Sequence, residues 1–234
     1  MRVFAISDLH LSFAADKPMD LFGEAWRDHV ERLSAAWRET VREDDLVLIP
    51  GDISWSIRLQ DAAADLAFVG SLPGQKLLLR GNHDYWWSSL AQVRRALPPS
   101  VRALQNDALT VGAFAIGGTR GWTLPGQADA QAGARESDDA RLYRRELLRL
   151  SLSLSHLEPG KRRIAMLHYP PLDPQHRDTE VTALLERAGV EIAVYGHLHG
   201  PAHRGAFNGV HNGVRYALVA ADYLQFRPLL IAEG

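Results

Sequence analysis

The sequence contains no cysteine, and this absence excludes several kinds of chemistry. Disulfide bonds, thiolate metal sites and cysteine nucleophiles are all ruled out. The chain also has little net charge. Its 26 lysine and arginine residues nearly balance its 28 acidic residues, which gives a formal net charge of −2 at pH 7. The chain therefore lacks the basic excess that drives non-specific nucleic-acid binding. We expect no stable nucleic-acid complex, although nucleic acid stays possible as a substrate.

Long apolar runs are missing as well. No uncharged run approaches the length of a membrane span, so we expect no association with a membrane. Residues 1–7 form a strand-length apolar run that meets charge at Asp8, which is unlike a signal peptide. There is no internal repeat, low-complexity segment or linker. We therefore expect a cytoplasmic protein with a single domain over residues 1–234, whose oligomeric state is unknown.

Strand and helix patterns alternate along the chain. Short apolar runs predict strands at 3–7, 46–49, 77–79, 101–104, 163–167, 192–195, 214–220 and 229–232, and two more around a turn within 109–116. Helical spacing of apolar residues predicts helices at 26–41, 57–69, 88–97, a segment ending near 157, and 179–188. Residues 119–137 are the longest irregular stretch, of a length that is usually functional or mobile.

Potential metal ligands follow five of the predicted strands, at the point where each strand ends. They are Asp8 and His10, Asp52, Asn82 with His83, His168, and His197 with His199. Any one of them alone could be a capping aspartate or a structural histidine. Because loops at the carboxyl ends of strands converge, the whole series indicates one site. Oxygen and nitrogen donors without thiolate suit divalent Mn, Fe, Co, Ni or Zn, and the set exceeds the four ligands of one zinc.

These residues form an ordered set of motifs from Asp8 to His199. The motifs are Asp-x-His, Gly-Asp, Gly-Asn-His-Asp, a lone histidine and Gly-His-x-His. The set resembles the calcineurin-like metallophosphoesterase superfamily, as found in predicted bacterial phosphohydrolases. The resemblance implies an α/β fold of the metallo-dependent phosphatase type. This fold is a four-layer α/β/β/α sandwich, with two sheets face to face and helices outside.

The resemblance also implies a dinuclear metal centre. One ion would be held by Asp8, His10 and His199, the other by Asn82, His168 and His197, with Asp52 bridging the two. Manganese is the expected metal, and Fe, Zn, Co and Ni are the alternatives. Two ions clamp the oxygens of an in-line displacement and lower the pKa of a bound water, so the implied chemistry is attack by a metal-bridging hydroxide.

Two further residues have implied catalytic roles. His83 is not needed as a ligand and would face the phosphate as general acid or charge stabiliser. Asp84 lies beside it in the sequence and could orient its ring. The function implied is a metal-dependent hydrolase of small-molecule or nucleotide phosphoesters.

Several alternatives stay open at this point. His10 favours phosphodiesters, because the histidine of Asp-x-His tends to accompany diester cleavage in proteins resembling this one. A phosphomonoesterase or protein phosphatase is the enzymatic alternative, and a non-catalytic scaffold on the same fold is the other. Trp86 and Trp87 could line the site or pack in the core. Arg120 could reach the substrate or stay solvated, and Asp222 could close a turn or contact a ligand.

Overall fold

The computed structural model describes residues 1–125 and 137–234, and these form two β-sheets. The strands of the first sheet are β1 (Arg2–Ala5), β2 (Leu46–Pro50), β3 (Gln75–Leu79), β4 (Val101–Leu104) and β11 (Leu229–Glu233). Their order is β11-β1-β2-β3-β4. Strands β1 to β4 are parallel, and β11 is antiparallel to β1.

The second sheet has six strands. They are β5 (Leu109–Val111), β6 (Phe114–Thr119), β7 (Arg162–Leu167), β8 (Ile192–Tyr195), β9 (Gly209–His211) and β10 (Val214–Leu218). Their order is β5-β6-β7-β8-β10-β9, with antiparallel pairs only at the two edges. The predicted strands are confirmed, whereas β9 was not predicted because Val210 is its only apolar side chain.

Five α-helices connect these strands in the described part of the chain. They are α1 (His29–Thr40), α2 (Ala63–Ser71), α3 (Leu90–Ala96), α4 (Asp138–Ser155) and α5 (Glu180–Arg187). The side chains of Ser89, Ser137 and Thr179 cap α3, α4 and α5 by accepting backbone N–H groups of the first turn.

The predicted start of α2 at residue 57 is wrong. The chain stays extended beyond β2, because the N–H of Leu11 donates to the Ile53 carbonyl and the N–H of Trp55 donates to that of Leu11. Ile57 is 66% exposed, so it does not belong to the apolar face of a helix. The predicted irregular stretch 119–137 overlaps β6 at Thr119, and its residues 126–136 lie outside the described residues.

Buried apolar side chains form three clusters that define the layers. One cluster holds residues of both sheets, including Val3 and Ala5 of the first and Ile164 of the second. A second joins the first sheet to α1, α2 and α3, and a third joins the second sheet to α4 and α5. Neighbouring residues of β1 alternate between clusters, with Phe4 on the helix side. The chain is thus an α/β protein with two sheets packed together and helices on their outer faces, as expected.

Contacts between the sheets bring the carboxyl ends of their strands together. Ser7, after β1, forms an isolated parallel bridge with Ala220, after β10. Nδ1 of His168, after β7, donates to the carbonyl of Pro50, at the end of β2, over 3.0 Å. No helix of the described residues is long and apolar enough to cross a lipid bilayer.

Candidate metal centre

The backbone of the candidate ligands is held in an unusual conformation. Asp8, His10, Asp52 and His197 all have positive φ, at 59°, 47°, 54° and 71°. A residue with a side chain in this left-handed region costs on the order of 1–2 kcal/mol. Backbone bonds hold two of these turns together, because the N–H of Asp8 donates to the Gly51 carbonyl and that of His10 to the Asp52 carbonyl. Such strain at four positions of one cleft is typical of a functional site.

Two glycines leave room for the carboxylates. A Cβ atom on Gly81 would lie 2.1 Å from Oδ1 of Asp52, and one on Gly196 would lie 2.2 Å from Oδ2 of Asp8. Both distances are far below van der Waals contact, and both carboxylates are buried. The glycines of the Gly-Asn-His-Asp and Gly-His-x-His motifs are therefore required by close packing.

The first group of potential ligands is Asp8, His10 and His199, which can each place one ligand atom within 4.8 Å of the others. Nε2 of His199 lies 3.4 Å from Nε2 of His10 and 3.4 Å from Oδ1 of Asp8. Burial lowers the pKa of His10 to about 3, so its imidazole is neutral and able to offer a lone pair. These three atoms can contact one ion.

His199 is oriented by Asp222, which lies beyond β10. Nδ1 of His199 donates to Oδ1 of Asp222 over 3.0 Å, which directs Nε2 toward Asp8. Burial by itself would lower the pKa of His199, but hydrogen bonds to Asp222 and Asp8 outweigh it and raise the pKa to about 10. The open question about Asp222 is thus answered by a contact with a candidate ligand. His203 contacts the other carboxylate oxygen of Asp222, with 3.2 Å between Nε2 of His203 and Oδ2 of Asp222.

The second group lies around His168. Its Nδ1 is the donor to the Pro50 carbonyl, and burial lowers its pKa, so Nε2 carries an unprotonated lone pair. That lone pair faces Oδ1 of Asn82 at 2.6 Å and Oδ2 of Asp52 at 3.5 Å. Nδ1 of His197 lies 3.0 Å from the same Asn82 oxygen, and burial lowers the pKa of His197 to about 4.

Asp52 lies between the two groups. Its Oδ2 is 3.5 Å from Nε2 of His168 and 3.9 Å from Nε2 of His10, and its Oδ1 accepts the N–H of His83. Burial, followed by the charges of Asp8 and Asp84, raises the pKa of Asp52 well above its ordinary value. A cation beside the Asp52 carboxylate would therefore offset its repulsion from Asp8 and Asp84.

The residues present fit divalent cations. Electron pairs of imidazole, amide and carboxylate groups face one another at short range around His168, Asn82 and Asp52. Such acceptors repel unless a cation is shared among them. The donor set is entirely oxygen and nitrogen, which suits Mn, Fe, Co, Ni or Zn.

His83 lies at the edge of this cluster and is not within it. Its ring centroid is 5.9 Å from that of His10 and 4.5 Å from that of Trp55, and its Nδ1 is buried without a hydrogen-bond partner among the described residues. Burial lowers the pKa of His83. Trp55 also stacks on His10, with 4.8 Å between centroids and 19° between planes. Sequence reasoning missed Trp55, because a tryptophan three residues past Asp52 carries no motif.

Asp84 does not orient the His83 ring, contrary to our expectation. Its Oδ1 accepts the N–H groups of Ile53, Ser54 and the Trp86 indole, and its Oδ2 accepts those of Asp52 and Gly81. A carboxylate at this depth needs such donors to stay buried. Asp84 therefore fastens the loop after β2 to the loop after β3. Trp86 and Trp87 are 1% and 3% exposed and pack in the core.

Comparison with known proteins places the chain in a family. The model of the calcineurin-like phosphoesterase family matches residues 1–201. The chain therefore belongs to the calcineurin-like phosphoesterase family.

Individual relatives are similar over less of their sequence. The Gene 66 protein of Mycobacterium phage L5 is 35% identical over 78 residues, which are 33% of this chain and 37% of that protein. The Gene 66 protein of phage D29 is 39% identical over 84 residues, 36% and 40% of the two chains. The matched part of the chain thus spans well under half the length of these curated relatives.

Solved structures share the fold along nearly the whole chain. Phosphopantetheinyl hydrolase from Mycobacterium tuberculosis has a TM-score of 0.57 at 14% identity and covers 100% of this chain and 98% of its own. A protein of unknown function from Aquifex aeolicus has a TM-score of 0.52 at 14% identity, with 97% and 94% covered. At such identities the likeness shows the fold alone.

Proposed function

We propose that this chain is a phosphodiesterase with a dinuclear metal centre. One ion is held by Asp8, His10 and His199, the other by Asn82, His168 and His197, and Asp52 bridges them. The observation that carries the proposal is the position of Asp52 Oδ2, 3.5 Å from His168 and 3.9 Å from His10, between the two groups of candidate ligands. Its raised pKa marks a carboxylate suited to two cations.

The chain and the metals have separate tasks in this proposal. When bound, a metal pair supplies a nucleophile at neutral pH and neutralises charge on the phosphate. The chain keeps the donor atoms in place by strained backbone at Asp8, His10, Asp52 and His197. His83 contributes a proton or a hydrogen bond to the leaving oxygen from outside the ligand cluster. Because burial lowers its pKa, His83 is neutral in the free protein, and an anionic substrate favours its protonation.

The remaining parts of the proposal concern the native metal, the class of substrate and the location of the enzyme. We propose manganese as the native metal, with Fe, Zn, Co and Ni as alternatives, since the donors are oxygen and nitrogen. Small-molecule or nucleotide phosphoesters are the proposed substrates of a cytoplasmic enzyme with one domain. The even balance of charge and the absence of cysteine support these choices.

The diester preference is tested at His10. Its imidazole is 3% exposed and stacked on Trp55, so it holds one position near the first ion. A diester has one negative charge and depends on closely held metals, whereas a monoester dianion binds the pair by charge alone. His10→Gln is therefore expected to lower kcat/KM for bis-p-nitrophenyl phosphate much more than for p-nitrophenyl phosphate, with metal at saturation. Equal losses for the two esters would remove the support for a diesterase.

A panel of metals completes this experiment. The wild-type protein, stripped with chelator and reloaded with each metal in turn, is assayed on both esters, and metal content is measured by elemental analysis. We expect two ions per chain and faster hydrolysis of the diester. Faster hydrolysis of the monoester would make the protein a phosphomonoesterase, and saturation at one ion would contradict the bridging role of Asp52.

A further inference from the structure

Two arginines lie beside the candidate metal centre. Arg80 directly follows β3 and precedes Gly81, and Arg120 directly follows β6. The carbonyl of Arg120 accepts the N–H groups of His168 and Tyr169, at 3.1 and 2.9 Å. Both arginines therefore belong to the same edge of the sheets as the candidate ligands, on the side of His168.

Both side chains hold buried N–H groups that lack acceptors. Nε of Arg80 and Nε of Arg120 are buried without a hydrogen-bond partner among the described residues. The Arg120 side chain is only 14% exposed, so it is not the solvated arginine that the sequence left possible. Buried donors normally have partners, and two exceptions that each directly follow a strand at this edge indicate the place of an absent acceptor.

The positive charge here exceeds the negative charge of the described residues. Glu146 is the carboxylate beside Arg120, but its Oε1 accepts from Arg149 at 2.7 Å while Nη2 of Arg120 stays 3.8 Å away. Arg145 approaches the same oxygen at 3.7 Å, and Thr119 donates to Oε2. Three guanidinium groups thus share one carboxylate.

Arg80 adds a further positive charge and has no carboxylate partner in the described part of the chain. A guanidinium group whose buried N–H lacks an acceptor is stabilised by a bound anion. A guanidinium fork matches phosphate oxygens in pairs, which a point charge does not.

Resting on the proposed function, we propose that Arg80 and Arg120 form a subsite for a second phosphate group of the substrate, one that is not cleaved. The scissile phosphate lies at the metal centre, and the arginines select esters that carry a further phosphate on one arm. The substrate class is then a phosphodiester of a phosphorylated alcohol or nucleoside.

The test uses three esters that differ in one group. They are thymidine 5′-(p-nitrophenyl phosphate) with a free 3′-hydroxyl, with a 3′-phosphate, and with a 3′-succinyl group. The wild type is expected to have a lower KM for the 3′-phosphate than for the hydroxyl form. Arg80→Gln and Arg120→Gln should each raise that KM about 10–100-fold, the loss of one charge-assisted contact, and leave the hydroxyl form nearly unchanged.

Control variants separate the subsite from general charge. Arg145→Gln removes the same charge beside Glu146 from a half-exposed side chain, and it should leave all three KM values unchanged. Arg120→Lys keeps the charge but lacks the fork, so its KM for the 3′-phosphate should fall between those of wild type and Arg120→Gln. If a glutamine variant fails to fold, the lysine variant supplies the comparison.

The outcomes distinguish the subsite from the proposed function. Equal effects of the arginine variants on all three esters would overturn the subsite and leave the hydrolase intact. Preference for the succinyl form would overturn the phosphate class. If the wild type hydrolyses none of the esters, the proposed function fails, and calorimetry decides the subsite without turnover. In that measurement, wild type should bind thymidine 3′,5′-bisphosphate more tightly than thymidine 5′-phosphate. The Arg120→Gln variant should bind the two nucleotides equally. Equal binding of both nucleotides by wild type would overturn the subsite.

Discussion

Replacement of Asp52 by asparagine should change stability in opposite directions with and without metal. The carboxylate is 1% exposed, and its Oδ2 faces the lone pair of His168 across 3.5 Å. Asparagine has the same shape, keeps an oxygen for the N–H of His83 and places an NH₂ group opposite His168. In the metal-free protein, Asp52→Asn therefore exchanges repulsion for a hydrogen bond.

The expected size follows from the buried position. Relief of one poorly matched buried group is worth about 1–3 kcal/mol. For a chain of this length, 1 kcal/mol shifts Tm by about 2–4 °C, so the metal-free variant should melt about 2–12 °C above wild type. With metal at saturation the order should reverse, because ions that bind only the folded wild type add stability that the variant cannot gain.

The stability advantage of metal-free Asp52→Asn over wild type should also depend on pH. The pKa of Asp52 is raised in the folded state above its ordinary value of 3.8. The folded protein then holds a proton that the unfolded chain has lost, so wild-type stability falls as the pH rises above about 4 toward the folded pKa. Thermal unfolding in chelator at pH 5 and pH 8 should show a larger advantage of Asp52→Asn at pH 8.

Asp84→Asn serves as the matched control. Asp84 is equally buried, but its oxygens accept five N–H groups, two of them at Oδ2. An amide would turn its own N–H groups against these donors, so Asp84→Asn should destabilise the protein with and without metal. If Asp52→Asn behaves in the same way, or if it still binds two ions, Asp52 is a structural acceptor and the bridging role is refuted.

Two more predictions concern the surroundings of the carboxylates. Gly81→Ala should abolish metal binding, because its Cβ would overlap Asp52, while Gly205→Ala, with open space around it, should bind metal as wild type does; titration with elemental analysis compares them. His83→Ala should keep its metal content but lose about 10²–10⁴-fold in kcat for alkyl esters and less for p-nitrophenyl esters, which need little protonation. Loss of an ion in His83→Ala would instead make His83 a ligand.

Much of the fold follows from local patterns in the sequence. Apolar runs such as 46–49 and 77–79 predict buried strands because a parallel strand is covered on both faces. The start of α2 could not be found in this way, since residues 53–56 are kept extended by pairing with Leu11, which is distant in sequence. Edge strand β9 was missed because a single apolar residue, Val210, does not make an apolar run.

The candidate site, too, could be predicted from the sequence only in part. Asp8, Asp52 and His168 could be placed near one another because each lies within three residues of the end of a parallel strand. The partners of a side chain could not be predicted in this way. Asp84 stands next to His83 in the sequence, yet its carboxylate points to backbone amides of another loop. Contacts of that kind depend on the packing of two loops, which no single stretch of sequence encodes.

The bonds of Asp84 have a consequence for the exchange of metals. They fasten the loops after β2 and β3 to each other, and none of them involves an ion. The candidate ligands should therefore keep their arrangement when the proposed ions leave. We therefore expect that one divalent ion can replace another without refolding of the chain. Because oxygen and nitrogen donors suit several divalent metals, we expect the supply in the cell to influence which ion the protein binds.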